Sequence, residues 1–75
     1  MISYEEALKK ARKLKPEIDH CIEYDNAYIF ACHEDSEYEG TRQPCVILRK
    51  EGRAVALLWY LTKYGVGKKV REIEL

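Results

Sequence analysis

Hydrophobic positions in the amino-terminal segment recur at the spacing of an amphipathic helix. They are Tyr4, Ala7, Leu8, Ala11 and Leu14, and cationic residues lie between them. Ser3 and Glu6 have the spacing of a capping box, in which two side chains satisfy backbone N–H groups at a helix start. Pro16 disfavours helical backbone at the residue before it. The pattern therefore predicts a helix from Tyr4 to about Leu14 that packs through one side only.

Beyond this helix, hydrophobic and polar residues alternate with the two-residue period of a half-buried strand. The alternation runs from Ile18 to Tyr24, and Asp25-Asn26 is a tight-turn signal before a second strand from Ala27 to Cys32. The two strands form a predicted first hairpin. We expect three of its aromatic residues to fill the space beneath the helix: Tyr24, Tyr28 and Phe30.

A second, more apolar hairpin is predicted farther along the chain. Its strands are Pro44 to Lys50 and Arg53 to Ala56, joined at Glu51-Gly52, where the glycine supplies a positive φ. Leu57 to Tyr64 either extends the second strand or forms a short helix closed by Gly65. The spacing of its hydrophobic residues favours the helix. Alternation from Val70 to Leu75 then predicts a terminal strand.

These elements predict an α+β fold in the order α-β-β-β-β-(α)-β. An amino-terminal helix should pack on an antiparallel sheet of four to five strands. The polar stretch from His33 to Gln43 has no periodicity and is predicted to be an exposed loop. No linker or internal repeat divides residues 1–75, so we expect one small domain.

Chain length and composition exclude several classes of protein. A domain of 75 residues buries only about 60–65% of its unfolded surface, which leaves little room for a deep substrate cavity. The longest apolar run, Ala54 to Leu61, is too short to span a membrane. The segment after Met1 lacks the features of a secretory signal, and three cysteines make a poor disulfide framework. These features predict a soluble cytoplasmic protein.

Residue types used in catalysis and metal binding are present without the spacing that such sites need. Residues 32–35 read Cys-His-Glu-Asp, yet no paired C-x₂₋₄-C or H-x₃₋₅-H unit occurs. A cysteine nucleophile would have to combine Cys32 or Cys45 with His20. The acidic residues lack the order of an EF-hand. We therefore predict a protein that is not an enzyme and has no cofactor, with metal binding as a minor alternative.

Charge is strongly segregated along the chain although its net value is zero. Eight carboxylates and no Lys or Arg lie between Glu17 and Glu39, whereas eight cations and only Glu51 lie between Arg42 and Arg71. The cations could gather on one face with Trp59 to bind nucleic acid. Alternatively, the acidic first hairpin could lie beside the basic second one so that their charges neutralise each other. We favour neutralisation.

Aromatic and acidic residues together indicate an interaction protein. Tyr and Trp are enriched at protein interfaces, and this chain has six tyrosines and one tryptophan. A charged loop and aromatic side chains that are hard to bury would suit a protein partner or a second copy of the chain. The predicted contact residues are Glu34, Asp35, Glu37, Tyr38, Glu39, Trp59 and Tyr60.

Two segments, Asp25 to Phe30 and Pro44 to Val55, resemble a pattern in small uncharacterised bacterial and prophage proteins. More distantly, the chain is similar to the YrhB-like immunity-protein family. Members of that family begin with a helix and continue into an aromatic strand, a proline, an apolar strand and a charged-glycine turn. The resemblance implies a small α+β cytoplasmic protein that binds and neutralises a partner, and it brings no catalytic residues.

Overall fold

A five-stranded antiparallel sheet organises residues 1–32 and 44–75, the parts of the chain that the computed structural model describes. The elements are α1 (Tyr4–Leu14), β1 (His20–Tyr24), β2 (Ala27–Ala31), β3 (Cys45–Leu48), β4 (Ala54–Val55), α2 (Leu57–Lys63) and β5 (Lys69–Glu74). The strand order is β4-β3-β2-β1-β5. The α+β class and the element order are confirmed, and the segment after the second hairpin is a helix.

Helix α1 begins and ends where the local sequence signals place it. The Ser3 hydroxyl accepts a hydrogen bond from the Glu6 backbone N–H at 3.2 Å, and the Lys15 N–H closes the last turn on the Ala11 carbonyl at 2.7 Å. Ala7 and Ala11 are fully buried. Their small side chains let the helix backbone approach the sheet closely.

The sheet is covered by one helix on each face. Successive strand residues point to opposite faces, so Phe30 and Ile47 pack with α1 whereas Ile29 and Val46 pack with Tyr60 of α2. Two separate apolar clusters result. The sequence predicted the cluster under α1 but not that α2 would cover the other face.

Burial in β1 differs from what its alternation suggested. Cys21 and Glu23 are the buried residues of this strand, and Tyr24 is partly buried against the α2 cluster. The expectation that Tyr24 packs beneath α1 is therefore wrong, whereas Tyr28 and Phe30 do pack there. Because both faces of the sheet are covered, alternation alone did not identify the face nearest α1.

The turn between β3 and β4 is joined to the amino terminus. Gly52 has a φ of 69°, which confirms the predicted positive φ. A side-chain Cβ at this position would lie 2.6 Å from Cγ2 of Ile2, so the close approach also requires glycine. The Ile2 N–H donates to the Arg49 carbonyl at 2.9 Å, and Lys10 donates to the Gly52 carbonyl at 2.6 Å.

A buried carboxylate lies on the α1 face of the sheet. Glu23 is only 6% exposed and accepts hydrogen bonds from two guanidinium groups. Arg49 donates through Nη1 to Oε2 at 2.8 Å, and Arg71 donates through Nε to Oε1 at 2.7 Å. Arg49 also donates to the Tyr24 carbonyl at 3.2 Å. A buried carboxylate requires such partners because transfer from water otherwise costs several kcal/mol.

Each of the two arginines also lies over an aromatic ring. The guanidinium carbon of Arg49 is 5.1 Å from the centre of the Tyr28 ring, and that of Arg71 is 5.7 Å from the Tyr4 ring. We call Glu23, Arg49, Arg71, Tyr4 and Tyr28 the Glu23 cluster. Hydrogen bonding and charge attraction to Glu23 raise the pKa of Arg71. We predicted that the acidic and basic segments neutralise each other. The two ion pairs of Glu23 confirm this for that residue.

We predict that Glu23→Gln destabilises the protein by about 3 kcal/mol, because the neutral amide leaves the largely buried Arg49 without its counter-ion. Chemical denaturation followed by circular dichroism would measure the change. The matched control is Glu72→Gln, which removes an exposed partner of Lys69 and should change the unfolding midpoint very little. Equal effects of the two substitutions would contradict a special role for the Glu23 cluster.

Candidate interaction surface

Helix α2 is short and is held at both ends by backbone geometry rather than by side-chain caps. Its N-cap, Ala56, makes no side-chain hydrogen bond. At the carboxyl end, the N–H groups of Tyr64 and Gly65 both donate to the Tyr60 carbonyl, at 2.9 and 3.1 Å. Gly65 has a φ of 74°, as expected of a glycine that ends a helix.

Tyr60 attaches α2 to the sheet and is fully buried. Its hydroxyl donates to Oδ1 of Asn26 in the β1–β2 turn at 2.6 Å and accepts from the Gly67 N–H at 3.4 Å. Asn26 in turn donates through Nδ2 to the Gly65 carbonyl at 3.4 Å. The prediction of Tyr60 as an exposed contact residue is thus corrected, because its side chain belongs to the core.

Trp59, the neighbouring predicted contact residue, faces outward and is 38% exposed. The guanidinium carbon of Arg53 lies 5.4 Å from the centre of its ring. The Tyr64 ring packs edge-on against it, with the ring centres 5.7 Å apart and the planes inclined by 70°. These contacts fix the orientation of an aromatic side chain that remains accessible.

Several other hydrophobic side chains of α2 and of the segment after it are also exposed. Leu58 is 71% exposed and Leu61 is 40% exposed. We call the following set the α2 surface: Leu58, Trp59, Leu61, Tyr64 and Val66. Sequence reasoning missed its aliphatic members, because their exposure depends on which side of the helix meets the sheet.

The segment that carries the α2 surface contains only positive charges, and Glu51 just before it pairs with Arg53. No carboxylate occurs from Arg53 to Arg71. Arg53 lies over Trp59, and Lys63 is exposed in the last turn of α2. An apolar area next to positive charges is suited to a partner with an acidic contact area.

Several cations of the basic half already have carboxylate partners within the chain. The pairs are Arg49–Glu23, Arg53–Glu51, Lys69–Glu72 and Arg71–Glu23. The basic face that nucleic-acid binding would need is therefore partly neutralised, in line with the neutralisation that we favour from the sequence. The predicted loop from His33 to Gln43 lies outside the residues that the structure describes, and so do its predicted contact residues, Glu34, Asp35, Glu37, Tyr38 and Glu39.

The cysteines are placed as core residues. Cys21 and Cys32 are buried and Cys45 is partly buried. Burial, and secondly the charge of Glu23, raise the pKa of Cys21 to about 12, so its thiol is protonated at neutral pH. Within residues 1–32 and 44–75, no three side chains of His, Cys, Asp or Glu group so as to hold a metal ion.

A shallow cleft of about 570 Å³ lies between the two hairpin turns. Asp25 and Asn26 line it from the first turn, Arg49 and Lys50 from the second, and Tyr64 lies beside it. Three of its polar residues are already engaged: Asp25 with the Lys68 N–H, Asn26 with Tyr60, and Arg49 with Glu23. The cleft therefore offers a ligand fewer unbonded polar groups than the residues that line it suggest.

No protein-family model, curated protein or solved structure matches this chain. The resemblance to the YrhB-like family stays a prediction from the sequence. Neither helix of the described chain is long and apolar enough to cross a membrane. A function has to be inferred from the chain's own residues.

We predict that Cys21 makes the protein less stable as the pH rises from about 9 to about 12. The folded state keeps the thiol proton up to a pKa of about 12, whereas the unfolded chain loses it near 9.0, the ordinary pKa of a cysteine thiol. The unfolded state therefore binds fewer protons in this window, and stability falls with rising pH. Urea denaturation of the protein and of Cys21→Ala at several pH values would measure this. Identical pH dependence of the two would contradict the prediction.

Proposed function

We propose that this chain is a non-enzymatic protein-interaction domain of bacterial immunity or phage-accessory type that acts in the cytoplasm. The observation that supports this most is the α2 surface. Trp59 contacts Arg53 and Tyr64, and the same helix carries the exposed side chains of Leu58 and Leu61. Trp, Tyr and Arg are the residue types that most often dominate binding energy at interfaces.

The partner that we propose for the α2 surface is a protein with an acidic contact area. A second copy presenting its own α2 would bring cations against cations, since the segment from Arg53 to Arg71 has no carboxylate. An acidic partner would instead complement Lys63, which is exposed, while covering the exposed leucines of α2. Such complementarity favours rapid association and selects against other partners.

We predict that Trp59→Ala weakens binding of the partner by at least about tenfold, since hot-spot truncations cost about 2 kcal/mol or more. Lys63→Glu should also weaken binding, with a loss that shrinks at high salt. A tagged chain would first capture the partner from bacterial extract. The purified partner would then be titrated calorimetrically against each variant at two salt concentrations.

Matched controls for these variants lie on the exposed side of α1. Lys9→Glu reverses a charge on the other face of the sheet and should leave affinity unchanged. Circular dichroism would establish that each variant is folded. A partner whose affinity is unaffected by Trp59→Ala and by Lys63→Glu would contradict the α2 proposal.

A separate prediction concerns the acidic residues of the loop. Reversing Glu34, Asp35, Glu37 and Glu39 to lysine should weaken partner binding and reduce its salt dependence, if these residues meet a basic area of the same partner. The same calorimetric titration would test this. Unchanged affinity and salt dependence would remove the loop from the interface without affecting the α2 proposal.

Nucleic-acid binding through the basic half is the second candidate function. Exposed Trp59 and Tyr64 among cations are suited to base stacking. The ion pairs of Arg49, Arg53 and Lys69 weigh against it, because these cations are already partly neutralised. Retention on DNA or RNA at low salt, lost steeply as salt rises, would favour this function. Metal analysis of the purified protein would test metal binding, the remaining alternative.

A further inference from the structure

Helix α2 depends on the sheet for its stability. It spans seven residues, Leu57–Lys63, and has neither a side-chain cap nor an acidic residue in its first turn. Isolated helices shorter than about 12–15 residues are marginal in water, so packing has to supply the missing free energy. Of these seven residues, which the structure describes in full, Tyr60 alone is buried, and Leu57 is partly buried. A helix with so few buried contacts would unfold once it left the sheet.

The side chain of Asn26, in the turn between β1 and β2, connects this helix to the sheet at two points. Its Oδ1 accepts from the Tyr60 hydroxyl at 2.6 Å, and its Nδ2 donates to the Gly65 carbonyl at 3.4 Å. The backbone φ of Asn26 is not positive, so the turn itself does not require asparagine there. An amide offers an acceptor and a donor on one short side chain, and this position uses both.

Gly67 leaves room for the Asn26 amide. A Cβ on Gly67 would lie 2.6 Å from Oδ1 and 2.8 Å from Cγ of Asn26, and it would also meet Oδ1 of Asp25. The Gly67 N–H donates to the Tyr60 hydroxyl at 3.4 Å. The φ of Gly67 is not positive, so this close approach, rather than backbone conformation, is what a side chain would disturb.

The rest of the fold is held by contacts on the other face of the sheet and within it. Helix α1 has eleven residues, is capped by Ser3 and buries Ala7 and Ala11. The strands β1, β2 and β3 pair with each other, and the Glu23 cluster lies on the α1 face. Among the described residues, none of these contacts involves α2. Stability within one domain can differ in this way, so that one element opens while the others stay folded.

We propose that the segment from Ala56 to Gly67 opens from the sheet as a unit while the rest of the protein stays folded, and that Asn26 is the positioning residue that keeps it closed. Opening uncovers the apolar residues that pack with Tyr60, among them Val46. It also separates Trp59 from Arg53, so the α2 surface is complete only in the closed state. The opening goes beyond the proposed function, and only its effect on the α2 surface rests on that function.

Native-state amide exchange of the full chain, followed by NMR at low urea concentrations, tests the opening without any partner. The amides of Tyr60, Tyr64 and Gly65 are hydrogen-bonded within α2. They should share one degree of protection, equal within about twofold, because one opening exposes all three. Their protection should depend weakly on urea, since little surface is exposed. Protection and urea dependence equal to those of β1 and β2, or protection graded along the helix, would overturn the proposal.

Two substitutions test the role of the Asn26 amide. Asn26→Ala and Tyr60→Phe should each speed exchange of the three α2 amides by about tenfold, because each removes the same buried hydrogen bond. The double variant should lose less protection than the sum of the two single losses. Asn26→Ala keeps the backbone carbonyl that accepts from the Arg49 N–H, so the turn should persist. Exchange that is unchanged at α2, or that is accelerated equally in β1 and β2, would overturn the role of Asn26.

Glu23→Gln is the matched control, because it lowers the stability of the whole protein from the other face. It should speed exchange of the slowest amides of β1 and β2 and leave the α2 amides unchanged. Gly67→Ala gives an independent variant, since its Cβ displaces the Asn26 amide without removing it. It should reproduce the exchange pattern of Asn26→Ala, with circular dichroism showing that the protein is folded. A folded Gly67→Ala chain whose α2 amides keep full protection would overturn the proposal.

Discussion

The burial of Glu23 is the constraint on which the arrangement of this small protein depends. A carboxylate near the carboxyl end of β1 is kept from water on the α1 face, and its charge has to be compensated by groups that reach it there. Arg49 arrives from the end of β3 and Arg71 from β5. One side chain thereby joins strands that are distant in sequence, and the rings of Tyr4 and Tyr28 extend this connection to α1 and β2.

Helix α2 is attached to the sheet less extensively than α1, and this leaves several of its hydrophobic residues exposed. α2 spans only Leu57–Lys63 and inserts one fully buried side chain, Tyr60, whose hydroxyl is held by Asn26. A domain of this size cannot bury both helices completely, since the buried fraction of surface falls with chain length. Trp59 and Leu58 therefore remain exposed on α2, while the contact between Tyr60 and Asn26 attaches this helix to the sheet.

Local signals made the elements predictable, whereas burial depended on distant contacts. Ser3, Gly52 and Gly65 act within a few residues of their own positions, so the helix start, the turn and the helix end could be read from the sequence. Glu23 looked like one carboxylate among eight, because its two arginines lie 26 and 48 residues farther along the chain. Trp59 and Tyr60 could not be told apart for the same reason, because the partner of the Tyr60 hydroxyl, Asn26, lies 34 residues earlier in the chain.

The segregation of charge and the exposed apolar residues would contribute to binding in different ways. Glu23 takes up two cations, Arg49 and Arg71, so internal neutralisation removes more positive than negative charge from the two halves. The charges that remain affect the rate of encounter and the choice of partner more than final affinity. Affinity must come mainly from desolvated contacts, which Trp59 and its aliphatic neighbours can supply. A charge reversal within the α2 segment, such as Lys63→Glu, should thus mainly alter the association rate, whereas a truncation at Trp59 should alter the dissociation rate.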